Sequence, residues 1–450
     1  MAWLIKRHRG TSFSQLIGAL IFVSTALPVS AELYLGQAIE IAHQNDPWIE
    51  GSLQRQRALE TQSTAASTLP DPVMSLGLAN LPIDTFDFDQ EAMTQFKFGV
   101  TQMIPRGSSL ELNQKRLAIQ GSQQPYQRAD RKARVTVNVS QLWLETFRAT
   151  ESIRLIEEDR ELFEHLVDVA QSSYSTAVGK TRQQDLVRAQ LELTRLEDRL
   201  TMLHEKLDMS RTRLGEWLLT GTPDDSQLWS SSKGKQFTLP GVLPEILPQR
   251  PDLVSAESQP TAQEIAAMLV SHPAIANLDN KIQASATSVE IAEQKYKPEW
   301  KINASYGYRD DAPSGMDRAD FFSVGVAFDL PLFTSNRQDQ QVQSAIATTE
   351  AVRTERSLAL RNMVSAFETQ RARLLRLEQR RELYQSRLLE EMHEQAEASL
   401  SAYTNDDGDF AEVVRARIAE LNARIDALDI EIERLKTIAQ LNYFFTTSDA

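Results

Sequence analysis

The sequence contains no cysteine. That absence removes disulfide frameworks, thiolate zinc sites, iron–sulfur clusters and cysteine nucleophiles together. Aromatic residues are scarce at 7%, and apolar residues reach only 41%, too little for a bundle of membrane-spanning helices. Basic residues are outnumbered, 48 Lys and Arg against 62 Asp and Glu. A net charge of -14 disfavours nucleic acid as a partner, because phosphates demand clustered cations. There is no GxxxxGK[ST], HExxH or GxSxG motif. The histidines beyond the N-terminal stretch (His43, His165, His204, His272 and His393) are not paired at metal-ligand spacing. Met392-His393 has soft-metal chemistry, but a surface or packed pair is the favoured reading. No cofactor, metal site or catalytic residue is expected, so the chain does not read as an enzyme.

What is present begins with an export signal. Lys6, Arg7 and Arg9 precede an apolar stretch from Leu16 to Leu27, too short to span a bilayer. Val29-Ser30-Ala31 supplies small residues for cleavage after Ala31. Residues 1–31 carry three cations and no acid, so the mature charge is -17. No later apolar run approaches the length of a spanning helix, so a membrane part must be built from strands.

The chain also repeats itself at a constant offset. Pro47 and Pro273 are 226 positions apart, and so are Pro72 and Pro298, Gly99 and Gly325, and Pro105 and Pro331. Residues 32–219 form a first repeat and 261–450 a second. Each runs short helix, Pro-started helix, strand, strand, long helix, turn, final helix. Residues 220–260 hold six prolines and a Ser-rich stretch. They cannot continue a helix and read as a connector.

Ser109 to Val178 and Asn336 to Ala402 read as helices about 100 Å long. Gly121 and Pro125 predict a kink or a late start in the first. Leu186, Leu193, Leu200, Leu207 and Leu214 repeat every seven residues, and so do Leu421, Leu428 and Leu435. Such rows are a coiled-coil signal. The shorter helices, stacked end to end, match the length of each long one. Each repeat is then a two-rod unit with its strands at one end. The turns at the other end fall near 178–181 and 403–410, the second with Asp409 and Glu412 as a capping box.

Four segments alternate with period two: about 72–81, 94–104, 299–309 and 321–330. Each is close to the length that a tilted strand needs to cross a bilayer. Met74, Leu76 and Leu78, for example, oppose Ser75, Gly77 and Ala79. Four strands cannot close a barrel, and a membrane forbids open edges, so copies must pool strands. Two copies would give eight strands with a filled interior; three would give twelve and room for a pore.

With these features the chain resembles the TolC family of outer-membrane efflux ducts. The resemblance covers nearly the whole mature chain. It rests on the duplicated element order, on Tyr174 to Gly179 followed by Asp185-Leu186-Val187-Arg188-Ala189-Gln190, and on the partner stretch Tyr403 to Ala416. Leu69-Pro70-Asp71-Pro72-Val73 is similar to the heavy-metal efflux branch; Pro240-Gly241 and Arg250-Pro251-Asp252 are similar to drug-efflux members.

The resemblance implies an α+β membrane protein. It would be a homotrimer with a 12-stranded outer-membrane β-barrel continued by a long periplasmic α-helical barrel. It implies outer-membrane lipid, a periplasmic adaptor (membrane fusion) protein and an inner-membrane RND-type pump as partners, and a Gram-negative outer membrane as the location. Gly179, Lys180, Thr181 and Gly408 would be adaptor-docking tips. Asp406, Asp407 and Asp409 would form a periplasmic gate, held shut by Tyr403 and Arg182. The function implied is a passive exit duct for small molecules or metal cations. Its rivals are a type I secretion duct, a structural coiled-coil envelope protein and a secreted enzyme. The coiled-coil rival leaves the four strands unexplained, and the enzyme lacks any motif.

Overall fold

The computed structural model describes residues 32–175, 183–219, 237–405 and 409–447. It is mostly helical, with one small antiparallel sheet. The helices are α1 (Leu35–Asn45), α2 (Pro47–Ala66), α3 (Ser109–Ser175), α4 (Gln183–Leu218), α5 (Pro251–Val254), α6 (Ala262–Leu269), α7 (Pro273–Glu293), α8 (Gln338–Leu383), α9 (Leu389–Thr404) and α10 (Phe410–Tyr443). The strands are β1 (Val73–Ala79), β2 (Gln95–Ile104), β3 (Trp300–Tyr308) and β4 (Phe321–Phe328).

The residue before a proline starts both medium helices. Asp46 accepts the Trp48 amide at 3.1 Å to cap α2, and His272 Nδ1 accepts the Ala274 amide at 3.2 Å to cap α7. Proline at the first helical position loses no hydrogen bond, so cap and start reinforce each other. α3 begins at Ser109 and runs through Pro125, 67 residues or about 100 Å. The late start predicted from Gly121 and Pro125 does not occur, because packing of α2 along this stretch holds the helix. Ser52 Oγ donates to Gln124 Oε1 at 3.0 Å and Ser63 Oγ to the Gln114 carbonyl at 2.9 Å.

The second long helix is not one α-helix. A π turn, Tyr384–Leu388, separates α8 from α9. One extra residue explains it. The row Phe367, Leu374 keeps a spacing of seven and resumes as Ala396, Tyr403, with 22 residues between Leu374 and Ala396 rather than 21. A π turn absorbs such an insertion while keeping the apolar seam on one side.

Short helices do stack end to end. Asn45 Nδ2 donates to the Leu218 carbonyl at 3.4 Å, so the end of α4 meets the start of α2. His272 Nε2 lies 3.1 Å from the Tyr443 carbonyl, so the end of α10 meets the start of α7. Side by side, the rods run α4, α3, α10, then α8 and α9 at one level, and α2, α3, α7, α8 at the other.

Three apolar clusters hold the rods. One joins α3, α4 and α10 near the tips through Ile156, Phe163, Leu200, Val413 and Leu421. A second sits at mid-height around Trp143, where α1 and Phe237 pack on α3 and α4. A third packs α5 and α6 on α8 and α10 through Ile265, Phe367 and Ile438. Residues 237–260 therefore lie as a belt across one face of the rods. Arg371 fastens it by donating to the carbonyls of Leu253, Ser255 and Ser258.

Candidate functional site

The sheet order is β1-β2-β3-β4, all antiparallel, with β2 and β3 pairing the two halves of the chain. The register sorts the side chains into two unlike faces, because successive residues of a strand point to opposite sides. One face carries the cross-strand rows Leu76–Phe98–Tyr306–Phe322 and Met74–Val100–Ala304–Val324. Toward the hairpin loops, Leu78, Phe96 and Tyr308 share a row; toward the helices, Ile104, Trp300 and Phe328 do. Aromatics thus flank an aliphatic centre. From Trp300 to Tyr308 the band is about 26 Å tall at 3.3 Å per residue, close to the ~25 Å apolar band of outer-membrane barrels.

At its centre the opposite face is small and polar, with the rows Ser75–Gly99–Ser305–Ser323 and Thr101–Asn303–Gly325, while Val73, Lys97 and Phe321 share that face around them. Gly99 and Gly325, separated by the repeat offset, both lie here. An added Cβ would meet Ser75 Oγ at 2.6 Å and Asn303 Oδ1 at 2.8 Å. Glycine leaves room for the polar neighbours to point the same way.

Nothing among the described residues covers the apolar face. Phe322 is 72% exposed and Leu76 69%, far above what an apolar face on a water-soluble sheet tolerates. Among the described residues β1 and β4 each pair on one side only, which leaves two open edges. The rods repeat that pattern, with α2 and α4 at one margin and α8 and α9 at the other.

Loops close the far end of the sheet. Arg318 donates to the Asp89 carbonyl at 3.0 Å and Arg309 to the Ala92 carbonyl at 3.0 Å, so both hairpins are tied together. The Arg309 guanidinium also lies 3.9 Å from the Phe321 ring centroid.

At the opposite end of the molecule, Tyr403 stacks edge-on against Phe410, 5.5 Å between centroids. It is half-buried against the tip cluster. Asp409 caps α10 by accepting the Ala411 amide at 3.2 Å. The expected capping box with Glu412 is not formed: the Asp409 carboxylate reaches the second helical amide, and the Glu412 amide bonds the Asp409 carbonyl at 3.0 Å instead. Asp406, Asp407, Gly408, Gly179, Lys180, Thr181, Arg182 and Ala31 lie outside the described residues. Among the described residues no group of three or more His, Cys, Asp or Glu could hold a metal, and no helix is long and apolar enough to cross a membrane. His393 pairs with Glu420 at 2.6 Å, tying α9 to α10.

Solved structures of outer-membrane channels superpose on most of this chain. CmeC from Campylobacter jejuni is 14% identical, with a TM-score of 0.71 over 92% of this chain and 85% of that one. The open state of MtrE from Neisseria gonorrhoeae is 13% identical, with a TM-score of 0.71 over 92% and 89%. The chain has the fold of the TolC-family outer-membrane channels. Within that fold, CusC matches with 13% identity and a TM-score of 0.70 over 92% of both chains. It matches no better than CmeC does, so the fold does not choose between efflux branches. No family model matches the chain, and no curated protein matches it.

Sequence reading missed two features of this TolC-type fold. One is the π turn, signalled by the slip in the heptad row. The other is a row of cations on α4, Arg199, Lys206 and Arg213, again at a spacing of seven.

Proposed function

We propose that the chain is the passive exit duct of a tripartite efflux system in the outer membrane of a Gram-negative bacterium. The observation that supports this most is the uncovered apolar face, girdled by aromatics, on a sheet with two open edges. Lipid is the solvent such a face fits, and lipid does not tolerate open edges. A head-to-tail ring satisfies both, because β1 of one copy meets β4 of the next and the margins of the rods meet in the same sense. Three copies give twelve strands around a small, polar interior and a helical tunnel below it.

The duct supplies no energy. A periplasmic adaptor and an inner-membrane pump deliver cargo at the tips, where Gly179, Lys180, Thr181 and Gly408 present short turns. Asp406, Asp407 and Asp409 of three copies ring the entrance, with Tyr403 and Arg182 as closing contacts. The cargo is small molecules or metal cations. The purified chain added to planar bilayers should form ion-conducting pores, and changing the three aspartates together to Asn should lower cation selectivity. Absence of pores would reject the duct. Unchanged selectivity would reject the gate alone. Bulky substitutions at Lys180 or Thr181 should abolish export while trimers persist; normal export would reject the docking role.

A further inference from the structure

A groove runs along α3 between α4 and α10. Two adjoining cavities of about 540 and 410 Å³ form it, sharing Leu142, Glu145 and Arg213 in their walls. Its position follows from the helix period. Trp143 faces the belt and donates to the Leu33 carbonyl at 2.8 Å. Glu145 and Ser152 line the groove and lie about 180–200° away around α3 at 100° per residue. On α4, Arg211 sits over the Phe237 ring of the belt, whereas Met202, Met209 and Arg213 line the groove, about 160–200° away. Belt and groove therefore occupy opposite faces of the rods. In a duct the belt must be outside, since three copies inside would fill the bore. The groove then faces the lumen, a placement that rests on the duct proposed above.

The charge of the groove opposes that of the chain. Arg148, Arg199, Lys206, Arg213, Arg373 and Lys436 line it against three carboxylates, Glu145, Asp429 and Glu433. The acids are already engaged. Lys436 pairs with Glu145 and Glu433, Arg373 with Glu433, and Arg148 with Glu145 and Asp429. Lys206 and Arg213 are exposed and have no carboxylate partner among the described residues. Between them and Arg199 stand Met202 and Met209, about half exposed. Thioether side chains are adaptable apolar surface. A surplus of three cations per copy is thus laid along an apolar strip inside a mature chain of net charge -17.

We propose that this groove is a weak lumenal binding site for organic anions with an apolar body, with Lys206 and Arg213 taking the carboxylate or sulfate and Met202 and Met209 the apolar part. Three copies repeat the site around the bore. Weak, repeated sites pass a solute along without trapping it.

The test uses the full chain in planar bilayers with cholate as the anionic probe and tetraphenylphosphonium as a cation of comparable apolar bulk. Cholate should reduce the pore current reversibly, and tetraphenylphosphonium should do so less. Changing Lys206→Gln and Arg213→Gln together should raise the cholate concentration for half-block about tenfold or more, as the loss of two close charges in water implies. Equal block in the wild type and the double variant, or stronger block by the cation, would overturn the proposal. A chain that forms no pore defeats the duct itself; a pore indifferent to these substitutions defeats only the groove. Because the chain has no cysteine, Met209→Cys carrying an environment-sensitive fluorophore reports binding without current. Its emission should shift on cholate titration in detergent, and a flat titration counts against the site.

Discussion

The rods and the sheet both carry periodic apolar rows, every seven residues on the rods and every two on the strands, but with opposite burial. On the rods, Trp143, Leu214 and Ile432 are fully buried among other helices of the same chain. On the sheet, Leu76, Phe98, Tyr306 and Phe322 stand in one row with nothing among the described residues over them. A hydrophobic pattern by itself says only that water is to be avoided. Whether protein or lipid replaces the water is decided by what else the segment has. The rods have rows at a spacing of seven that meet other rows. The sheet has aromatic ends, an aliphatic middle and small polar residues behind its centre, and the described residues give it no second layer to pack on.

Substitutions that act differently in the two regions sharpen this contrast. The largest effect is expected at Trp143. Its ring stacks on Phe147, 5.6 Å between centroids, and Trp143→Ala should destabilise the folded rods by about 3–5 kcal/mol. Chemical unfolding followed by far-ultraviolet circular dichroism measures it. Phe322→Ala should cost the rods little, since that ring is 72% exposed on the sheet beside Tyr306. A similar loss at both positions would erase the distinction between the regions.

A charge on the sheet comes next. Val324→Arg puts a guanidinium on the aliphatic centre of the apolar face, where about 2–4 kcal/mol is expected against insertion. Ser323→Arg, one residue away on the polar face, should insert nearly as well as the wild type. Outer-membrane fractionation of both variants reads the difference. Equal insertion would mean that the face does not meet lipid.

Smaller effects test the rod ends. Asp409→Ala removes the α10 cap and should cost about 1 kcal/mol, with Asp409→Asn nearly neutral, both read by thermal unfolding. His272 gives a pH dependence. Burial pushes its pKa below the ordinary histidine value, opposed by the hydrogen bond to the Tyr443 carbonyl and by Asp130, and aided by Arg134. The folded state therefore holds the neutral ring, with Nδ1 accepting and Nε2 donating. Unfolding frees the ring to take a proton near pH 6.5. The contribution of His272 is complete above that pH and is lost as the pH falls toward the lower folded pKa. His272→Asn keeps a capping side chain, so its melting temperature should fall less between pH 7.5 and 5.5 than that of the wild type. Identical falls would place the acid sensitivity elsewhere.

Much of this contrast was legible in the chain itself. All four strands lie where period-two alternation placed them, and their ends differ by no more than two residues. β1 stops at Ala79 because Asn80 takes a positive φ of 54°, which asparagine tolerates better than most residues. The start of α3 at Ser109 was less plain, since Gly121 and Pro125 predicted a kink or a late start and the helix runs through both. The π turn was written as one surplus residue between two heptad rows, but helical propensity does not register it, since every residue from 384 to 388 suits an α-helix. The groove was harder to see. Its cations come from α3, α4, α8 and α10, and only the packed rods bring Arg148, Lys206, Arg373 and Lys436 to one side. At the tips, Tyr403 packs on Phe410 and Asp409 caps α10. The gate and docking roles of all these tip residues rest on the resemblance that named them.

The central claim is that the four strands of one chain are a third of a barrel, completed by two other copies. The mass of the detergent-solubilised protein tests it most directly. Three chains per particle are predicted, giving twelve strands and no free edge. A stable single chain, or a pair, would leave edges open or close a barrel too narrow for a pore, and would contradict the duct.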